Sequence, residues 1–154
     1  MAPDTHRYVA TVTWTGNRGS GTARYDAYGR EHEIEADGKS VPIPGSSIPQ
    51  FRGNAERYNP EELLVAALSS CHMLWFLHLC ATERVIVTGY RDRAEGSMKL
   101  NADGSGQFTE VVLHPHVTIE DPQRAHVLPA LHERAHELCF IARSVSFPVR
   151  CDPS

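Results

Sequence analysis

The residues of this chain best suited to chemistry carry sulfur and imidazole. Cys71 sits in Ser69-Ser70-Cys71-His72, in the middle of a run from Leu63 to Ala81 that holds no charged side chain. A cysteine attacks as its thiolate, so its surroundings must favour the ionised sulfur. The field of a helix N-terminus is strong only over the first turn and does not reach mid-helix. A cation must then come from elsewhere in the chain, and Arg18, Arg30, Arg52 and Arg57 are the candidates. His72 has two readings: it tunes the thiolate, or it is a satisfied core histidine. The cysteines, Cys71, Cys80, Cys139 and Cys151, form no C-x-x-C pair and no secreted-scaffold spacing. Cys80 and Cys151 read as small buried hydrophobes.

A second pattern competes. His132-Glu133-Arg134-Ala135-His136 matches H-E-x-x-H, which on a helix puts two histidines on one face with a glutamate as base. The context argues against a zinc protease. No glutamate follows Glu137, and Cys139 and Ala142 stand where the extended motif needs Gly and His. No metal is expected.

The element that must carry Cys71 announces itself. Asn59 is a cap residue, Pro60 suits the first helical position, and Glu62 completes a capping box. The helix that follows is apolar on every face, which predicts burial all round. The run is about the shortest that spans a bilayer, but its serines and histidines favour a core helix. A single domain of 154 residues cannot easily wrap such a helix, so a dimer with two of them packed together is expected.

Around it, Tyr8–Trp14, Thr22–Ala27 and Glu31–Ala36 read as strands of an antiparallel meander, with a glycine-rich turn at 16–21. Val41–Tyr58 reads as an irregular loop in which Phe51 and Arg52 line a pocket or face solvent. Val85–Leu100 and Gln107–Glu120 read as long partner strands joined by an Asp103-Gly104 hairpin turn, with Pro115 marking an edge or bulge. Asp121 caps a second helix running to about Leu138 and kinked at Pro129. Ser144–Arg150 is a last strand. The order implies an α+β fold in a single domain, 1–154.

Net charge of −4, with 41 % hydrophobic and 22 % charged residues, describes an ordinary globular chain. No basic excess points to nucleic acid and no basic amphipathic helix to a membrane surface. Met1–Arg7 is polar with no apolar run after it, so a cytoplasmic protein is expected.

Asn-Pro-Glu-Glu-Leu-Leu-Val-Ala-Ala-Leu-Ser-Ser-Cys, at 59–71, resembles the signature of the OsmC/Ohr proteins, the osmotically inducible and organic-hydroperoxide-resistance proteins. There the motif runs approximately N-P-E-x-L-x-x-A-x-x-x-x-C. A second cysteine follows after another helix, as Cys139 does here, 68 residues on. Trp14-Thr15-Gly16-Asn17-Arg18-Gly19-Ser20-Gly21-Thr22 is similar to the family's arginine-bearing N-terminal turn. The resemblance in element order covers about residues 7–151. It implies an OsmC-like fold, antiparallel sheets around a long buried helix, in an intertwined homodimer.

The resemblance also implies thiol-dependent reduction of organic hydroperoxides. Cys71 would attack the O–O bond and become a sulfenic acid. Cys139 would resolve it to a Cys71–Cys139 disulfide, and an external dithiol, a lipoyl group in the Ohr branch, would restore both thiols. Arg18 would hold the thiolate and Glu61 would orient Arg18, with no bound cofactor. Residue physics asks for the same parts, a cation beside the thiolate and a second thiol nearby. Glu61 and Cys71 are ten residues apart, about 15 Å along one helix and about 80° apart in direction, so a site at a dimer interface is expected. His72 stands where the family's peroxidases usually show Phe, and Phe140-Ile141-Ala142-Arg143 follows Cys139 where Cys-Pro is usual. These departures place the chain outside the two best-described branches. Arg30 and Arg52 stay open as substitutes for Arg18. The alternative function is non-enzymatic: a small apolar ligand bound at the interface, or redox sensing by the cysteines.

Overall fold

A computed structural model describes residues 4–154. The first three residues of the polar N-terminal stretch lie outside them. The chain divides into two compact units, Met1–Leu63 and Leu64–Ser154.

In the first unit, β1 (Thr11–Trp14), β2 (His32–Glu35) and β3 (Ile43–Gly45) form an antiparallel sheet in that order. The strand expected at Thr22–Ala27 is absent; turns fill 15–31 instead. The reason is local side-chain capture of backbone. Asn17 Oδ1 accepts from the N–H groups of Gly19 and Gly21, both at positive φ. The Arg30 guanidinium donates to the carbonyls of Tyr28 and Tyr25 and lies over both of their rings. The stretch expected to be an irregular loop holds β3 and a single 3-10 turn at Pro49–Phe51. Arg57 secures its end, donating to Gly45 O at 3.0 Å and His32 O at 2.9 Å and pairing with Glu33.

The Asn59 cap forms as expected. Asn59 Oδ1 accepts from Glu62 N–H at 2.8 Å, and Glu62 Oε2 accepts from Asn59 N–H at 3.1 Å. The helix α1, Pro60–Thr82, starts here and continues through the second unit. Its burial differs from expectation. Leu68, His72, Phe76 and Cys80 form one buried stripe, while Glu62, Ala66, Ser70, Leu74 and His78 on the opposite side are exposed. One copy of the chain covers only one face of a helix that is apolar on all of them. Among the described residues α1 is the one helix long and apolar enough to cross a membrane.

The second unit packs two small sheets and a second helix on the α1 stripe. The long hairpin expected from 85–120 is present but broken on both arms. The arms become β4 (Val87–Asp92) and β5 (Glu95–Leu100), returning as β6 (Gly106–Leu113) and β7 (Pro115–Ile119). β4 pairs with β7 and β5 with β6 in separate sheets. The pairing register carries across the break: Asp92 faces Pro115 and Glu95 faces Val112. At the break Asp92 Oδ1 takes the His114 N–H at 2.6 Å, and Pro115 has no N–H to give the ladder. The expected Asp103-Gly104 turn closes the hairpin, with Gly104 at φ 86.

Asp121 caps a 3-10 segment, Pro122–Val127, and the α-helix proper, α2 (Leu128–Leu138), begins where Pro129 enters. The last strand is shorter than expected, β8 (Val149–Cys151), and joins β6 in parallel, so the sheets are not all antiparallel. Phe76, Cys80, Val85, Leu131 and Ala135 form one core cluster between α1, α2 and the β4–β7 sheet. Leu68, Val111 and Leu113 form another under the β5-β6-β8 sheet.

Candidate functional site

Two groups of reactive side chains meet where α1, α2 and β8 pack. Cys71, half-buried on α1, lies beside the buried stripe. Cys139 ends α2 as its C-cap residue and is 1 % exposed. The two thiols are close enough for the Cys71 sulfur to act on the ionisation of Cys139. Burial, above all, and then the Cys71 sulfur push the Cys139 thiol up to about 11. Cys139 therefore keeps its proton at neutral pH and can offer it to the Cys71 sulfur. Its own sulfur accepts the Ala142 N–H at 3.4 Å. One helical turn beyond Cys71, Trp75 meets Phe140 edge-on, with ring centroids 5.6 Å apart, and Phe140 is 65 % exposed. The thiol pair thus sits next to an open aromatic rim.

The second group was not assembled from the sequence. His72 Nε2 lies 3.0 Å from His132 Nδ1, and the Cys151 sulfur is 3.6 Å from the first nitrogen and 3.9 Å from the second. His132 also stacks on Phe76 at 3.9 Å between centroids. Burial lowers both imidazoles to about 4, against the smaller opposing pull of Asp92 on His72, so both are neutral at physiological pH. Burial, with Asp92 and Asp152 behind it, pushes the Cys151 thiol up to about 12. Of these residues the sequence singled out His72 for its place beside Cys71 and His132 for its H-E-x-x-H match. Cys151 carried no signal beyond being a cysteine, because three separate elements bring it here.

Asp92 borders this group. Its Oδ2 accepts from the Ser69 hydroxyl at 2.5 Å and its Oδ1 from His114 N–H. The remaining expected site residues belong to the first unit. Arg18 is exposed in the turn after β1, and Glu61 is half-buried in the first turn of α1. Cys71 and Cys139 are the pair that the second unit brings together.

A family model for the OsmC-like proteins matches residues 53–154. The chain belongs to the OsmC-like family. An OsmC-like protein of unknown function from Vibrio cholerae is similar at 36 % identity, with TM-score 0.87, covering 97 % of this chain and 100 % of that one. The organic hydroperoxide resistance protein OsmC from Legionella pneumophila is 18 % identical, with TM-score 0.71 and 98 % of each chain covered. The organic hydroperoxide resistance protein OhrB of Bacillus subtilis is 20 % identical, with TM-score 0.63, covering 96 % of this chain and 98 % of that one. At those lower identities the likeness speaks to the fold. No curated protein matches the chain in sequence. The α+β architecture of small sheets and a long helix is thus the OsmC-like fold, and the family includes hydroperoxide-resistance proteins.

Within this OsmC-like chain the H-E-x-x-H match does not act as one unit. His132 turns into the core toward His72, while Glu133 is exposed. A cavity of about 230 Å³ is lined by Val85, Ile86 and Ile119 together with Arg84, Glu120, Asp121 and Arg124. Four charged side chains in seven suit a polar occupant better than an apolar one.

Proposed function

We propose that this OsmC-like protein reduces organic hydroperoxides through Cys71. The observation that carries the reading is the proximity of the Cys71 and Cys139 thiols, close enough for one sulfur to shift the ionisation of the other. The Cys71 thiolate attacks the outer oxygen of R–O–OH; the O–O bond breaks, Cys71 becomes a sulfenic acid, and the alkoxide leaves and is protonated to the alcohol. The Cys139 sulfur then displaces hydroxide from Cys71–S–OH, forming the disulfide and releasing water once its thiol proton is transferred. A dithiol returns both cysteines to thiols and is itself oxidised to a disulfide; a lipoyl group suits this step. The Trp75–Phe140 rim supports an organic rather than an inorganic peroxide, because it offers an apolar seat to the alkyl part.

Arg18 is the cation assigned to the thiolate, with Glu61 orienting it. A homodimer is part of the same reading. The exposed row Ala66, Ser70 and Leu74 on α1 is apolar or small, and Leu74 is 63 % exposed; a second copy of α1 would cover it. Light scattering that returns a monomer at micromolar concentration would remove that part.

The test is mass spectrometry after one equivalent of cumene hydroperoxide. The expected product has lost two hydrogen atoms, carries a Cys71–Cys139 crosslink, and turns over when a dithiol is added. Cys71→Ser should abolish peroxide consumption and keep the fold. Oxidation of Cys71 no faster than that of Cys80 overturns the proposal.

A further inference from the structure

We infer that His72, His132 and Cys151 form a binding site for a divalent transition-metal ion of the zinc class. The donor atoms His72 Nε2, His132 Nδ1 and Cys151 Sγ lie within 4.8 Å of one another, and both histidines are buried. Their separations of 3.0, 3.6 and 3.9 Å are close to one face of a zinc tetrahedron. With Zn–N of about 2.05 Å and Zn–S of about 2.3 Å, that face has an N···N edge of about 3.3 Å and N···S edges of about 3.6 Å. The N···N separation and one N···S separation need to change by only about 0.3 Å and the other N···S separation hardly at all, with the two rings turning so that both lone pairs meet the ion. A thiolate with two imidazoles selects a borderline-soft ion over magnesium or calcium, which prefer oxygen.

The surroundings point independently to a cation. Asp92 makes no ion pair with any described residue. Its charge nevertheless falls on His72, Tyr90 and Cys151 together. Such a carboxylate beside a half-buried thiol is an arrangement that lacks positive charge. His72 Nδ1 and Tyr90 Oη are buried polar atoms with no hydrogen-bond partner among the described residues, and both belong to this cluster. An ion at the three donors would ionise Cys151, its proton leaving to solvent, and would displace the proton shared by the two imidazoles onto the far nitrogen of the ring that carries it, His72 Nδ1 or His132 Nε2, so both rings stay neutral. Thiolate and ion together would leave one positive charge, which Asp92 offsets. The tetrahedral position opposite the three donors stays open for water.

The ion would tie α1, α2 and β8 together. His72 follows Cys71 directly and His132 lies on the helix that Cys139 ends, so the clamp holds the two elements that carry the thiol pair. The inference does not depend on peroxide chemistry, and its test separates the two.

The full chain, reduced and freed of metal, is titrated with Zn²⁺ against a chromophoric chelator and with Co²⁺ in the spectrophotometer. Expected are one equivalent of ion and, with Co²⁺, a thiolate-to-cobalt charge-transfer band. The band should persist in Cys71→Ser/Cys139→Ser and vanish in Cys151→Ser, with zinc affinity at least about tenfold weaker there, a difference of about 1.4 kcal/mol. Should Cys151→Ser not fold, the wild type decides: Zn²⁺ should slow alkylation of Cys151 and leave that of Cys80 unchanged. Absence of stoichiometric binding, binding without the band, loss of the band in the Cys71/Cys139 variant, or Cys151 alkylation indifferent to Zn²⁺ would each overturn the site.

Discussion

His72 Nε2 and His132 Nδ1 lie 3.0 Å apart with their rings within 3° of parallel, so one nitrogen donates and the other accepts. Protonating the accepting nitrogen would break that hydrogen bond, and charging both rings would set two imidazolium charges against each other in the core. Both groups titrate near 4 in the folded chain, against 6.5 for an ordinary histidine, with burial as the main cause and mutual repulsion adding to it on His132. Between those values the unfolded chain binds more protons than the folded one. The stabilisation is therefore complete above about pH 6.5, is lost as pH falls toward about 4, and levels off below. Each imidazole contributes on the order of 3 kcal/mol to that loss. Urea midpoints at about pH 7.5 and about pH 4.5 should differ accordingly. His132→Gln should flatten the dependence, and equal midpoints at the two pH values in the wild type would contradict the arrangement.

The thiols should separate by reactivity. Burial raises Cys80 to about 11, and it is the leading cause of the rise at Cys139 to about 11 and at Cys151 to about 12. Only the thiolate reacts, so these three are slow at neutral pH. Limiting iodoacetamide on the native chain should label Cys71 first, by at least about tenfold over the others. Peptide mapping reads the order, and denaturation should erase it. Cys80 labelled as fast as Cys71 in the native state would remove the basis for a privileged sulfur.

Two of the four candidate arginines already have structural work. Arg30 is held by the Tyr25 and Tyr28 carbonyls and rings, and Arg57 by Glu33 and the carbonyls of Gly45 and His32. Arg18 and Arg52 are exposed. Arg18→Ala should slow oxidation of Cys71 by about tenfold or more, equivalent to about 1.4 kcal/mol of barrier, with unfolding unchanged. Arg30→Ala should instead lower stability by about 1 kcal/mol, since it removes the charged donor that ties the Tyr25 and Tyr28 carbonyls together. A normal rate in Arg18→Ala with a slow Arg52→Ala would transfer the role to Arg52.

What was legible in the sequence was what neighbouring residues decide. The Asn59–Glu62 box, the Asp103-Gly104 turn and the Asp121 cap are each settled within four residues, and each formed where the chain chemistry put it. The motif at 59–71 led to the family because its residues are contiguous. What was not legible depends on distant partners. The strand expected at Thr22–Ala27 is lost to a guanidinium and an amide that bind the backbone of their own loop. The hairpin breaks because Asp92 and His114, 22 residues apart, meet at one level. Apolarity around α1 states a demand for cover but not which chain supplies it. The imidazole–thiol group needed α1, α2 and β8 in place before Cys151 meant anything.

Asp92 tests how much that last convergence depends on one side chain. Its carboxylate accepts from the Ser69 hydroxyl on α1 and from the His114 N–H at the turn from β6 into β7. Asp92→Ala would leave both donors without a partner at a half-buried position, which costs about 1–3 kcal/mol for each group stranded. Asp92→Asn keeps one carbonyl acceptor and should recover part of that. Chemical denaturation of the three proteins should rank them wild type, Asn, Ala. Hydrogen exchange adds a readout that a general loss of stability does not imitate. In Asp92→Ala the His114 amide should lose protection before the amides of β5 and β6, because it alone relied on that carboxylate. If His114 stays protected, another acceptor holds the break between the sheets, and Asp92 owes its place to its charge beside His72 and Cys151.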